Sequence, residues 1–208
     1  MKCKILVLLL IVLGLNSNAQ FIGELYYKVD YIVSDSVKFP PKQAEFKKEF
    51  INNLNYRIEQ VTHLGEQVLL VDGTDSSNIL LIEMSGAKLA LILPNDSYTK
   101  EQLPKIKKKF QFKKKVVAGF KCKKAMVLQA DGSYEVCYYT KKIAPELNAK
   151  VPGLKGYPLD FTIVYDGYKM HQRVIEIKEN PAQDDMIYEI PTGFVKMTME
   201  EFRSMLSQ

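Results

Sequence analysis

The side chains able to do chemistry are few and scattered. Only two of the 208 residues are histidines, His63 and His171, and neither has a second histidine, a cysteine or a carboxylate at ligand spacing, so no zinc site is supported. His171 falls on a strand-like run opposite Thr162, where a solvent-facing or satisfied histidine is far commoner than a general base. No G-x-S-x-G, H-E-x-x-H, P-loop or dinucleotide fingerprint occurs. The adjacent acids Asp184-Asp185 and Glu200-Glu201 read as loop solvation and helix-start charge rather than an acid/base pair. The expectation is a non-catalytic protein with no catalytic residue, no metal and no cofactor.

The conspicuous cluster is basic. Ten lysines fall between Lys105 and Lys124, with Phe110, Phe112 and Phe120 interleaved. Lysine neutralises phosphate and aromatic rings stack on bases, but the export signal below argues against a nucleic-acid partner. A plain account is a solvated strand pair whose lysines discourage edge aggregation. A sharper one is an anionic membrane surface met by Lys107, Lys108, Lys109, Lys113, Lys114 and Lys115. Phe110 and Phe112 share a direction at strand period and belong to the core face.

The chain opens with Lys2 and Lys4, an apolar run from Ile5 to Leu13, and Ser17 and Ala19 at the two positions a signal peptidase inspects. An apolar run this short does not span a bilayer of about 30 Å, so residues 1–19 read as a signal peptide cleaved near Ala19. Residues 20–208 then form a single domain, periplasmic or secreted. In that mature chain 27 basic side chains face 24 acidic ones, too mild an excess to imply a polyanion partner. Cys122 and Cys137 remain, and that compartment permits a disulfide. Asp131-Gly132 reads as a two-residue hairpin turn pairing Cys137 with Met126 and Cys122 with Lys141, which separates the sulfurs by about 13 Å and favours buried free thiols.

Leu25, Tyr27, Val29, Tyr31 and Val33 alternate with their neighbours at the period of a long half-buried strand. Residues Lys42 to Leu54 carry Ala44, Phe46, Phe50, Ile51 and Leu54 at helical spacing, which predicts an amphipathic helix. Strand-like runs follow at 56–62, 67–71, 78–84, 87–93, 110–117, 120–128, 134–139, 159–165 and 168–177, the last two joined by Asp166-Gly167. Thr198 and Glu201 form a capping box opening a helix through Leu206. These elements predict an α+β domain: a mostly antiparallel, strongly curved β-sheet or open half-barrel with two or three short helices.

Val117 to Ala125, Tyr138 to Ile143, Gly153 to Leu159 and Pro191-Thr192-Gly193-Phe194 together resemble the motif order of the secreted Bacteroidetes-type families DUF4412 and GLPGLI. Gly-Leu-Lys-Gly-Tyr-Pro at 153–158 departs from the GLPGLI signature, so the DUF4412-like branch fits better. The resemblance covers roughly residues 115–200. It implies an outline similar to the periplasmic lipoprotein carriers, whose open barrel covers an apolar cavity with helices, and it implies no reaction.

The runs at 79–82 and 89–93 are apolar on both faces, so they lie under a second layer or line an interior space. The reading that follows is an exported periplasmic or envelope binding protein holding a lipid or other apolar ligand. Its expected lining is Tyr27, Val29, Tyr31, Leu80, Ile82, Leu91, Leu93, Phe161 and Ile163. The alternative is a structural or protein-interaction module of the cell envelope with a solid core and no ligand.

Overall fold

Alternation of inward and outward side chains governs most of the described part of this chain. The computed structural model describes residues 21–33, 47–53, 55–62, 65–73, 77–84, 86–94, 106–108, 115–129, 132–143, 150–165 and 168–207. The strands are β1 (Ile22–Val33), β2 (Lys47–Asn52), β3 (Asn55–Thr62), β4 (Gly65–Asp72), β5 (Ser77–Met84), β6 (Ala87–Leu93), β7 (Ile106–Lys108), β8 (Lys115–Val117), β9 (Phe120–Leu128), β10 (Tyr134–Thr140), β11 (Tyr157–Tyr165), β12 (Tyr168–Glu179) and β13 (Val195–Thr198). A 3-10 turn at Asp185–Tyr188 precedes β13, and helix α1 (Met199–Leu206) follows it.

The strands join in the order β13-β6-β5-β4-β3-β2-β1-β12-β11-β10-β9-β7, with β8 paired to β9 off this path. Every pairing is antiparallel except β13 on β6. The α+β expectation is thereby corrected. Of the described residues 67% are strand and 9% helical, with one α-helix, so among them helices form no layer and the sheet is unclosed.

The helix expected at 42–54 is the clearest miss: Lys47–Asn52 is a strand, and the rest of that segment lies outside the described residues except Asn53. Its inward residues are Lys47, Glu49 and Ile51, while Lys48 and Phe50 point the other way. With two charges facing inward and an aromatic ring outward, the usual strand alternation is inverted, and the apolar residues alone imitate a helical spacing. By contrast α1 forms where the capping box places it, with Thr198 Oγ1 accepting from the Glu201 backbone and Glu201 accepting from the Thr198 backbone.

Directly paired residues share a face, and the registers run Leu25, Glu49, Ile58, Leu69, Leu80, Leu91 and Met197 straight across the sheet. The face bearing this row, the Tyr27 face, carries the main core. Leu25, Tyr27, Ile51, Leu159, Phe161 and Val174 pack there beneath Ile143, Val151 and Leu154 of the β10–β11 connection. A smaller cluster of Leu70, Leu81 and Ala90 lies on the opposite face beneath Ile190 and Phe194.

The β9–β10 hairpin also differs from expectation. Tyr134 pairs with Leu128, so Cys137 meets Ala125 rather than Met126. Gln129 N–H donates to Ser133 C=O and Gly132 holds φ at +80°, which makes the loop three residues long, with glycine in the left-handed position such loops require. Both cysteines are buried and free. Tyr165 pairs with Tyr168 across Asp166-Gly167, and His171 does face Thr162.

Candidate functional site

On the Tyr27 face, four strands and one connection converge on a buried charge. Glu49 comes from β2, Tyr27 from β1, Tyr56 from β3, Tyr157 from β11, and Lys150 from the segment crossing above them. Glu49 is fully buried. Its Oε2 accepts from Tyr27 Oη at 2.6 Å, Tyr157 Oη at 2.7 Å and Lys150 Nζ at 3.0 Å. Lys150 Nζ also donates to Tyr157 Oη at 2.6 Å and sits over the rings of Tyr157 and Tyr56 at 4.2 and 4.9 Å. Lys47 Nζ donates to Gln172 Oε1 at 2.6 Å and lies 3.2 Å from Glu49 Oε1 as an ion pair without hydrogen-bond alignment.

Burial would raise the Glu49 carboxyl, but Lys150, Lys47 and the hydroxyls of Tyr27 and Tyr157 outweigh it and hold it at about 2. Burial pushes the Lys150 ammonium down to about 8, against the attraction of Glu49. Tyr27, Tyr56 and Tyr157 are raised by burial first and by Glu49 next, so all three stay protonated, and Tyr27 and Tyr157 act as donors to Glu49. The Tyr56 hydroxyl is buried and closes no hydrogen bond with any of the described residues. Two lysines against one glutamate leave a formal charge of +1 in the interior.

Local geometry explains how Lys150 reaches this point. Gly156 lies where a Cβ would meet the Tyr139 ring and come within 2.7 Å of Thr140 C=O, so the connection can hug β10 only with glycine there. Leu154 N–H to Val151 C=O and Gly156 N–H to Leu154 C=O close the turns that carry Lys150 over the sheet.

All nine expected lining residues lie on the Tyr27 face, by register and alternation from Tyr31 and Met170 on one side to Leu93 on the other. They do not form one lining. Tyr27, Val29 and Phe161 are buried in the main core, with Tyr31 and Ile163 packed against it. Leu80, Ile82 and Leu93 are half-buried and Leu91 is buried, on the far part of the sheet. Between them the same row adds Ile58 and Leu69, both half-buried, which the sequence pattern alone does not single out.

A second charged group occupies the opposite face. Asp160 Oδ2 accepts from Lys115 Nζ at 2.6 Å, and Oδ1 lies 2.9 Å from His171 Nε2. The carboxylate that sequence spacing denied to His171 is therefore supplied from the adjacent strand, diagonal to the Thr162 pair. These contacts hold Asp160 below the usual carboxylate range although burial opposes them. Among the described residues no three His, Cys, Asp or Glu side chains could hold a metal ion. Lys115 is thus committed to Asp160. Lys107 and Lys108 lie in β7, while His63, Lys109, Phe110, Phe112, Lys113, Lys114 and the apolar leader lie outside the described residues.

The class this geometry defines is a large, unclosed, mostly antiparallel sheet. Solved structures share it. The chain is similar to PNGF-II, solved in space groups C2 and P21, at 12% and 13% identity and a TM-score of 0.57 in each, with 90% of this chain covered. It spans about a third of PNGF-II, 33% and 34% of the two solved chains. It is also similar to an uncharacterized conserved protein from Thermus thermophilus, at 9% identity and a TM-score of 0.52, covering 92% of this chain and 99% of that one. At these identities the likeness concerns the fold alone. No family profile and no curated protein matches the chain.

Proposed function

We propose that this is an exported, non-catalytic binding protein of the cell envelope that holds a lipid or other apolar ligand against the Tyr27 face. The observation that carries the reading is the half-buried row Ile58, Leu69 and Leu80, running from the buried Glu49 cluster to Leu91. Four strand spacings of about 4.8 Å make that strip roughly 19 Å long, the reach of a long acyl chain. Its apolar end gains by removal from water, at about 25 cal/mol per Å² covered. Its other end abuts the interior formal charge of +1, which favours an anionic head group. The resemblance of residues 115–200 to DUF4412-type secreted proteins and the export signal agree with this reading, and Lys107 to Lys109 and Lys113 to Lys114 supply attraction to an anionic membrane that fades with salt.

The test is native mass spectrometry of protein purified from its own host, with titration of a fluorescent fatty-acid probe. Uptake by the wild type and loss of about tenfold or more in Leu80→Glu are expected, because a charge placed in the strip must be desolvated by the ligand. A consistently empty mass with no probe uptake refutes ligand binding. That outcome supports the second reading, an interaction module with a solid core, which the burial of Tyr27, Val29 and Phe161 favours.

A further inference from the structure

A cavity of about 980 Å³ lies on the opposite face, between β4–β5 and the segment running from Asp185 to Phe194. That volume is at the upper end of what small-molecule sites occupy. Its lining mixes an apolar floor of Leu70, Val71, Ile79 and Ile190 with a polar and aromatic wall of Asn52, Asn53, Asn55, Asp185, Tyr188 and Phe194. We propose that this cavity binds a neutral, polyhydroxylated ligand, an oligosaccharide, at a site separate from the Tyr27 face and independent of the reading above.

The wall is built and held. Arg57 Nη1 donates to Ile187 C=O at 2.7 Å, which pins the 3-10 turn to β3. Tyr188 Oη donates to Gln183 Oε1 at 2.8 Å, fixing its ring. Asn53 Nδ2 donates to Asn52 Oδ1 and Asn52 Nδ2 donates to Asp185 Oδ1, each at 3.2 Å, a relay that crosses from the β2–β3 turn to the covering segment. At its end Asn53 Oδ1 is buried and accepts from none of the described residues, and such an atom costs free energy until a donor reaches it.

Chemistry selects the ligand class. A sugar hydroxyl both donates and accepts, so it can satisfy Asn53 Oδ1 and bond the neighbouring amides and carboxylates together. The C–H face of a pyranose suits the electron-rich face of an aromatic ring, which Tyr188 and Phe194 offer. A purely apolar ligand would strip the amides of hydrogen bonds. Asp72, Asp185 and Glu189 against Lys196 give the lining a formal charge of −2, which repels polyanions such as nucleotides. A divalent cation is disfavoured because no three ligating side chains converge among the described residues.

The experiment uses the full mature chain with maltohexaose, xylohexaose and chitohexaose as probes, followed by calorimetry and by amide chemical shifts. At least one probe binds with Kd below about 1 mM, with shifts confined to the β2–β3 turn and the segment at 185–194. Because the ligand is neutral, raising sodium chloride to about 0.5 M leaves Kd unchanged. Asn53→Gly, which keeps the φ of +56° accessible while deleting the orphaned amide, weakens binding about tenfold, as does Tyr188→Ala. Leu80→Glu on the Tyr27 face leaves it unchanged, so failure of the lipid reading and failure of this one are separable. No binding of any probe at about 10 mM, shifts confined to another face, or full affinity in both folded cavity variants overturns the proposal.

Discussion

Replacing Glu49 by glutamine tests the buried charge cluster directly. The amide oxygen of the substituted side chain can still accept from Tyr27 and Tyr157, which reach Glu49 at 2.6 and 2.7 Å in the wild type, so little hydrogen bonding is lost. What disappears is the negative charge between Lys47 and Lys150, whose side chains are each 8% exposed. Removing one partner of a buried ion pair typically costs about 3–5 kcal/mol. Here the lower end applies, about 3 kcal/mol at pH 7, because Lys150 already sits near 8 and relieves the strain by releasing its proton. At pH 9 the wild-type lysine is mostly neutral, so the variant should be penalised less there. Lys150→Met removes one of two cations and leaves a neutral Lys47–Glu49 pair, at a cost of about 1–2 kcal/mol. Equilibrium urea unfolding at pH 7 and pH 9 measures all of this. The reasoning fails if Lys150→Met proves worse than Glu49→Gln at pH 7, or if the glutamine variant is as destabilised at pH 9 as at pH 7.

Three further outcomes are expected. In wild-type protein the Glu49 carboxyl titrates below its unfolded value of 4.5, so its contribution is present above about pH 4.5 and lost as pH falls toward 2. Lys150, at about 8 when folded, makes stability fall from pH 10.5 down through pH 8, because the unfolded chain holds its proton longer over that range, and denaturation midpoints across both ranges check the two signs. Gly156→Ala drives a methyl group against Tyr139 and Thr140 C=O and should cost about 2 kcal/mol, read as a lowered urea midpoint at unchanged m-value. Burial pushes Cys122 up to about 11 and Cys137 up to about 12, so at pH 8 both should react with a disulfide reagent at least about 100-fold slower in the native protein than in urea.

Much of the sheet is written in period two. The runs around Leu25 and Phe161 alternate regularly enough that their inward face follows from the sequence, whereas those around Leu80 and Leu91 are apolar on both faces and take theirs from the register with neighbouring strands. Strand β2 is hidden because Lys47 and Glu49 point inward, and their partners come from distant residues: Gln172 is 125 positions from Lys47, and Lys150 is 101 from Glu49. No local pattern announces such a pairing. A Lys-x-Glu alternation in phase with Ile51, facing a tyrosine-rich first strand, is the one signal that points to it. The Asp160–His171 contact escapes a reading of spacing because neighbours on a sheet include diagonals across strands, which positions along one strand do not show. The Asn53 relay depends on Asp185, a residue that reads as ordinary loop solvation until the covering segment folds back.

The strand order carries a consequence for synthesis. β1, the first of the described strands to be made, lies between β2 and β12, and its second flank is filled only when Tyr168–Glu179 emerges. The free side of β6 waits longer still, for the parallel strand Val195–Thr198. The nascent chain therefore travels with open hydrogen-bonding edges on β1, β11 and β6, the first two in the middle of the future sheet, and joining them depends on contacts of long sequence separation, which form slowly. A chain interrupted before residue 168 is not a smaller version of this protein but a ribbon with its central seam unsewn.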